Sequence, residues 1–288
     1  MTIESHDATT VQQPPSACIA ANVAAAIAED VGSGDITAQL IGVEHHSTAV
    51  VITREHGVFC GRPWGQETCR QVDPTIASEW LVGEGALIVP DQPLLKLKGP
   101  TRGLLTVERS LLNFLQLLSG TATATRHYLD LLDGTSCKLL DTRKTIPGLR
   151  AAQKYAVRTA GGSNHRMGLF DAFLIKENHL TAASSIIDAV KHARMLMPDA
   201  VVEVEVESLA QLSDAIAAAA DIALIDNFTL AMTEQAVALA RDKILLEASG
   251  GIDENTITDI ARAGVDYISV GNLTKEVSPL DLSMRIQD

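Results

Sequence analysis

The feature that most restricts the fold of this chain is a rhythm that starts near residue 137. Short apolar runs, most of them closing on a charged residue or a glycine, alternate with longer runs of helical period. The apolar runs are 138–141, 173–176, 202–205, 222–226, 244–247 and 267–271. The last four end at Glu205, Asp226, Glu247 and Gly271, spaced 21, 21 and 24 residues apart, close to one strand and one helix each. Helical stretches at 183–196, 209–220, 230–240 and 255–263 fill the gaps. Strands alternating with helices dictate a parallel sheet with crossover helices. About six such units suit a closed or nearly closed barrel, and no G-x-G-x-x-G follows the first strand as an open dinucleotide-binding sheet would require. The expected fold class is α/β, with a parallel barrel, open or incomplete, over 116–274.

The preceding part has a different texture. An alanine-rich stretch of helical period at 17–30 stops at Val31-Gly32-Ser33-Gly34-Asp35. β-like runs follow at 47–54, 57–60, 77–82 and 86–97, the last interrupted by Pro90-Asp91-Gln92-Pro93, with a helix near 66–71 among them. A long apolar helix is expected at 104–118, with Gly120 as a break and a second helix to Leu132. The reading is a small α+β domain over 17–115, preceded by a disordered tail at 1–16.

A net charge of −13 argues against nucleic acid as the main partner. The four cysteines, Cys18, Cys60, Cys69 and Cys137, show no C-x-x-C spacing and read as reduced thiols. No apolar run approaches the roughly 18 residues of a membrane span, and Glu4 and Asp7 stand where a secretory leader would be positive. The expected setting is the cytoplasm.

Barrel chemistry sits at the carboxyl ends of the strands. Here those ends carry Asp141, Lys176, Glu205, Asp226 and Glu247. The loop after the first strand, Thr142-Arg143-Lys144-Thr145, adds a planar donor fork and a point charge, suited to a carboxylate or a phosphate. Gly161-Gly162-Ser163-Asn164-His165-Arg166 brings two more donors in a glycine-rich loop. In Val202-Glu203-Val204-Glu205-Val206-Glu207 the period of two puts the glutamates on one face. Barrel packing should turn the valines out and the acids in, where they need cations. Two late glycine loops, Ser249-Gly250-Gly251 and Val270-Gly271-Asn272, present backbone N–H groups that suit a phosphate.

Together with Glu29-Asp30-Val31-Gly32-Ser33-Gly34-Asp35, Glu108-Arg109-Ser110, Leu174-Ile175-Lys176-Glu177-Asn178-His179 and Asp226-Asn227-Phe228, these motifs run nearly the whole chain. In that order they make it resemble the quinolinate phosphoribosyltransferases, the decarboxylating enzymes of de novo NAD synthesis. The resemblance implies that 17–115 form an α/β sandwich domain with the C-terminal segment 275–288 packing back on it, and a homodimer in which the sandwich domain of one subunit closes the barrel of the other. It implies that Arg109 from the neighbouring subunit, with Thr142, Arg143, Lys144, His165, Arg166 and Lys176, holds quinolinate. It sets Lys144, Lys176, Glu205 and Asp226 at the chemistry, the two acids facing the ribose and a magnesium ion of 5-phosphoribosyl 1-diphosphate (PRPP). Ser249, Gly250, Gly251, Val270, Gly271 and Asn272 would take the 5′-phosphate. Which lysine assists decarboxylation is left open. So are three rival readings: a phosphoribosyltransferase for another acid, an aldolase-type barrel with Lys176 as Schiff-base lysine, and a lipoyl-like binding module around 83–99.

Overall fold

A computed structural model of the chain describes residues 12–181 and 184–287. The first half runs α1 (Ser16–Val31), a 3₁₀ turn, β1 (His46–Thr53), β2 (Gly57–Val58), α2 (Arg62–Val72), β3 (Ala77–Trp80), β4 (Leu87–Ile88), β5 (Pro93–Pro100) and α3 (Thr101–Leu131). Then come β6 (Lys138–Leu140), α4 (Arg150–Thr159), β7 (Phe173–Ile175), α5 (Glu177–Leu180), α6 (Ile186–Leu196), β8 (Val202–Val206), α7 (Leu209–Ala217), β9 (Ile222–Asp226) and α8 (Leu230–Ala240). The chain ends with β10 (Leu245–Ser249), α9 (Ile257–Arg262), β11 (Tyr267–Ser269), α10 (Asn272–Lys275) and β12 (Leu282–Gln287). Residues 1–11 of the expected tail and the expected helix start at 183 lie outside the described residues, and Ser16 already opens α1.

Two compact units emerge. One holds 12–126, 145–161 and 273–287 of the described residues; the other holds 127–144 and 162–272. The boundary drawn from the sequence after 115 falls inside α3, and the units part within that helix, between Arg126 and His127.

The first unit carries an antiparallel sheet of order β12-β1-β5-β3. Alternation along the strands sends Ala49 and Val51 of β1 and Leu95 and Leu97 of β5 into one core, where they meet the helical stripe Leu104, Val107, Leu111 and Leu115 of α3. Gly120 does not break α3, contrary to the sequence expectation. A Cβ there would stand 2.2 Å from the Ser278 carbonyl oxygen, so the glycine is a point of close backbone approach within an intact helix. The helix expected near 66–71 begins earlier, at Arg62, because the Glu84 carboxylate accepts the Gly61 and Arg62 N–H groups that open it, at 3.1 and 2.6 Å. The segment 145–161, placed in the barrel from the sequence, belongs to this unit. There Ala152, Tyr155 and Ala156 of α4 share a core with Trp64 and Phe114.

The second unit is a six-stranded parallel sheet of order β6-β11-β10-β9-β8-β7. Its first strand pairs with its last, Leu139 opposite Ile268, which curls the sheet on itself and leaves the seam between β6 and β7. At that seam Ser163 bridges to Leu140. This is the open α/β barrel the strand rhythm called for. Val202, Val204 and Val206 are fully buried, while Glu203 and Glu205 take the opposite face of β8 and Glu207, just past the strand, is exposed.

Candidate functional site

The carboxyl ends of all six barrel strands meet at one cavity of 360 Å³. That volume lies within the range of small-molecule sites, and its position is where barrel chemistry is found. β6 delivers Thr142, Arg143 and Lys144, the loop across the seam His165 and Arg166, and β7 Leu174 and Lys176. β8 adds Glu205, β9 Leu224 and Asp226, β10 Glu247, Ser249 and Gly250, and β11 Ser269. Four permanent or usual cations thus line one cavity in an acidic protein. The Thr142 hydroxyl accepts the Lys144 N–H at 3.0 Å, which curls the loop after β6.

On the side of β7 to β9, the Lys176 ammonium donates to the Glu205 carboxylate. Asp226 accepts from the Asn227 side-chain amide at 2.7 Å. Burial, and then the charge of Glu205, push the Asp226 carboxyl above its ordinary value, against the pull of Lys176 and Lys144. In the loop before β7, burial and the neighbouring Arg143 both bear against the charge of Arg166, with Glu203 acting the other way. A guanidinium keeps its proton under such pressure, so Arg143 and Arg166 remain two like charges side by side at the cavity.

The floor of the cavity is acidic and buried. His165, Glu203 and Glu247 are buried, with the His165 Nε2 3.0 Å from a Glu203 oxygen and 3.4 Å from a Glu247 oxygen. The ligand atoms of these three lie within 4.8 Å of one another. Asp141, wholly buried, accepts the His165 backbone N–H at 3.0 Å and the Asn164 side-chain amide at 2.5 Å.

Most residues picked from the sequence therefore converge: Thr142, Arg143, Lys144, His165, Arg166, Lys176, Glu205, Asp226, Ser249 and Gly250 line the cavity. Within the cavity the His165 Nδ1 faces the Arg166 backbone N–H at 2.7 Å and its Nε2 faces the two acids. Gly251, Val270, Gly271 and Asn272 do not line the cavity. Gly251 is exposed, and the Lys144 side chain covers Gly271, whose Cβ position lies 3.0 Å from the lysine Cδ. Arg109 is exposed on α3 in the first unit. Leu174, Leu224, Ser269, Glu203 and Glu247 escaped selection as site residues; for Glu203 the period of two in β8 already carried the signal.

A larger cleft of 840 Å³ opens at the amino ends of β9 to β11. Its acid Asp221 is already paired with Arg194 at 2.7 Å, and Ala219, Ala220, Val237 and Ala240 make much of its wall. Arg241 and Lys243 line it too, alongside the acids Asp221, Asp242 and Asp266, and it lies at the end of the strands away from the carboxyl rim.

Comparison with known proteins agrees with this geometry. The family profile of the quinolinate phosphoribosyl transferase N-terminal domain matches residues 35–119, and that of the C-terminal domain matches 121–285. A probable nicotinate-nucleotide pyrophosphorylase [carboxylating] of Bacillus subtilis is 41% identical over 259 residues, covering 90% of each chain. The nicotinate-nucleotide pyrophosphorylase [carboxylating] of Mycobacterium leprae is 41% identical over 266 residues, 90% of this chain and 94% of that one. The solved structure of the nicotinate-nucleotide pyrophosphorylase from Francisella tularensis superposes with a TM-score of 0.92 at 47% identity, covering 96% of this chain and 99% of the other. With both halves matched and the barrel cavity in place, the chain belongs to the quinolinate phosphoribosyltransferase family.

Proposed function

We propose that this protein joins quinolinate to PRPP and releases diphosphate and carbon dioxide, yielding nicotinate mononucleotide for NAD synthesis. The observation that carries this reading is the cavity where Arg143, Lys144, Arg166 and Lys176 face Glu205 and Asp226. Two guanidiniums are matched to two carboxylates, and the acids stand where positive charge must develop.

In the first step the pyridine nitrogen attacks the anomeric carbon, the N–C bond forms, and the C–O bond to diphosphate breaks with its electron pair on oxygen. An unprotonated pyridine nitrogen needs no general base, so no Ser-His-Asp or Cys-His set is required. Arg143 and Arg166 orient the dicarboxylate, while Leu174 and Leu224 offer apolar surface to the ring. As diphosphate leaves, the ribose ring gains positive charge, which Glu205 and Asp226 stabilise, and Lys144 and Lys176 meet the negative charge of the departing oxygens. Magnesium fits the donor set, since Glu205 and Asp226 offer hard carboxylate oxygens and Asp226, raised by burial and by Glu205, gains from a nearby cation. Bound with PRPP, the ion would supply further neutralisation of the diphosphate. In the second step the bond from ring C2 to its carboxyl breaks, carbon dioxide leaves, and the electron pair stays on C2, beside the cationic ring nitrogen, until a proton replaces it. The glycine loops at 249–251 and 270–272 are the proposed seat of the 5′-phosphate, with Ser249 and Gly250 at the cavity itself.

The working form we propose is a cytoplasmic homodimer with Arg109 reaching the quinolinate of the partner subunit. Arg109 is exposed, and large apolar side chains are left to solvent on both units, Ile36 and Leu40 on one and Leu169 and Phe170 on the other. No helix among the described residues is long and apolar enough to cross a membrane. An assay with quinolinate, PRPP and magnesium should yield nicotinate mononucleotide and one carbon dioxide per turnover. Turnover of nicotinate in place of quinolinate, with no carbon dioxide, would assign the pocket to a monocarboxylate instead.

A further inference from the structure

Beneath the cations lies a group for which the mechanism above has no task. Glu203 and Glu247 have side chains only 3% and 2% exposed, and both lie within reach of the His165 Nε2. Buried acids are costly, and an apolar pair of the same size would usually serve stability as well or better. Moreover Glu203 Oε1 and Glu247 Oε1 are buried without a hydrogen-bond partner. Buried polar atoms with no such partner call for an explanation beyond the stability of the fold.

What the pair does hold is one edge of the pocket. The Arg166 N–H meets the His165 Nδ1 at 2.7 Å, which fits the tautomer carrying its proton on Nε2 and donating it to the acids. Asp141, at the end of β6, fixes the His165 backbone separately. When ionised, Glu203 also favours the Arg166 guanidinium, which Arg143 opposes.

We infer that Glu203 and Glu247 are positioning residues for the dicarboxylate end of the pocket. By receiving the His165 Nε2–H they fix the ring whose other nitrogen faces the Arg166 backbone, and so fix where that guanidinium stands before substrate arrives. The inference rests on the quinolinate reading of the site. It concerns binding of the acid and leaves the ribose donor aside, because the residues the pair steadies, His165 and Arg166, are those the quinolinate reading assigns to the dicarboxylate. Since Asp141 keeps its own hold on the loop, loss of the pair should loosen the guanidinium without unfolding the barrel.

The test is steady-state kinetics on the full-length enzyme with each substrate varied in turn. Glu203→Ala should raise the KM for quinolinate by about tenfold or more and leave that for PRPP within about twofold, since a misplacement near 1 Å can cost up to about 100-fold. Glu203→Gln keeps an oxygen that can accept the same N–H and should return the quinolinate KM to within about threefold of wild type. A purely structural role would lower the yield of folded enzyme and shift both constants alike. Should Glu203→Ala fail to fold, Glu247→Ala, which removes the longer contact, carries the same expected split. An unchanged quinolinate KM, or equal shifts in both constants, overturns the inference. So does a stoichiometric divalent metal in the purified enzyme that is lost in Glu203→Gln, since the three side chains would then be its ligands. If the wild type turns over PRPP with some other acid and never with quinolinate, the functional reading fails and this inference falls with it.

Discussion

Burial keeps protons on Glu203 and Glu247 that solvent would remove. The Glu203 carboxyl is pushed up to about 7 and that of Glu247 to about 8, in both cases by burial first. For Glu247 the charge of Glu203 adds to the push, and His165 works against it. The unfolded chain keeps the ordinary value of 4.5. Between these values the folded protein binds more protons than the unfolded one, so stability should fall as pH rises through the window and level off above it. Glu247→Gln keeps the shape and removes one titration. Its melting temperature should vary less than that of the wild type between about pH 5 and about pH 8.5, and should exceed it at the alkaline end. Thermal melts across a buffer series check this, and a wild-type curve rising steadily toward pH 8 would contradict it. At this scale the sequence was informative about direction and silent about distance. Period two placed Glu203 inward, yet nothing in the linear order brings Glu247 and His165, 82 positions apart, into contact. Nor could it show that the imidazole turns its nitrogens toward the floor and the backbone.

At the scale of elements, the turns after β9 and β10 form one tight corner. Asn227 has φ +55° and donates its backbone N–H to the Ser249 carbonyl at 3.0 Å, while Gly250 has φ +89°. A Cβ on Gly250 would stand 2.4 Å from the Asn227 Oδ1 and 2.7 Å from its backbone nitrogen. Gly250→Ala must therefore accept backbone strain of about 1–3 kcal/mol or push the Asn227 turn, with Asp226, away. The expected result is a folded protein with kcat/KM for PRPP down by about tenfold or more and a smaller change in the KM for quinolinate, seen by varying each substrate in turn. Equal losses for both substrates would place Gly250 outside the ribose side. The glycine-rich loop was legible as a tight turn, because Gly250 takes a positive φ that side-chain-bearing residues rarely adopt. By the same logic Gly120 was misjudged. A glycine in a helix signals either a break or a close neighbour, and the neighbour, the Ser278 carbonyl, comes from the far end of the chain. Helix α4 and its place in the first unit were equally hidden, because its partners Trp64 and Phe114 stand 88 and 38 positions before Ala152, with β6 of the other unit in between.

At the scale of the molecule, a net charge of −13 surrounds a cavity with four basic side chains. Such a contrast focuses anionic substrates locally without making the whole surface sticky to nucleic acid. The alternation of strands and helices made the barrel and its rim readable, since period and strand polarity are local properties. Subunit arrangement is not local, and the proposed role of Arg109 depends on it. If each site takes Arg109 from one subunit and Lys144 from the other, Arg109→Ala and Lys144→Ala homodimers should both be nearly inactive. Mixed in equal amounts under conditions that let subunits exchange, half of the dimers become hybrids, each with one site carrying both defects and one carrying neither. Activity should then recover to about a quarter of wild type. Sites built within a single chain would give no recovery, because every site would still lack one of the two cations. The yield of hybrid can be followed separately with differently tagged subunits, so that failure to exchange is not mistaken for failure to complement.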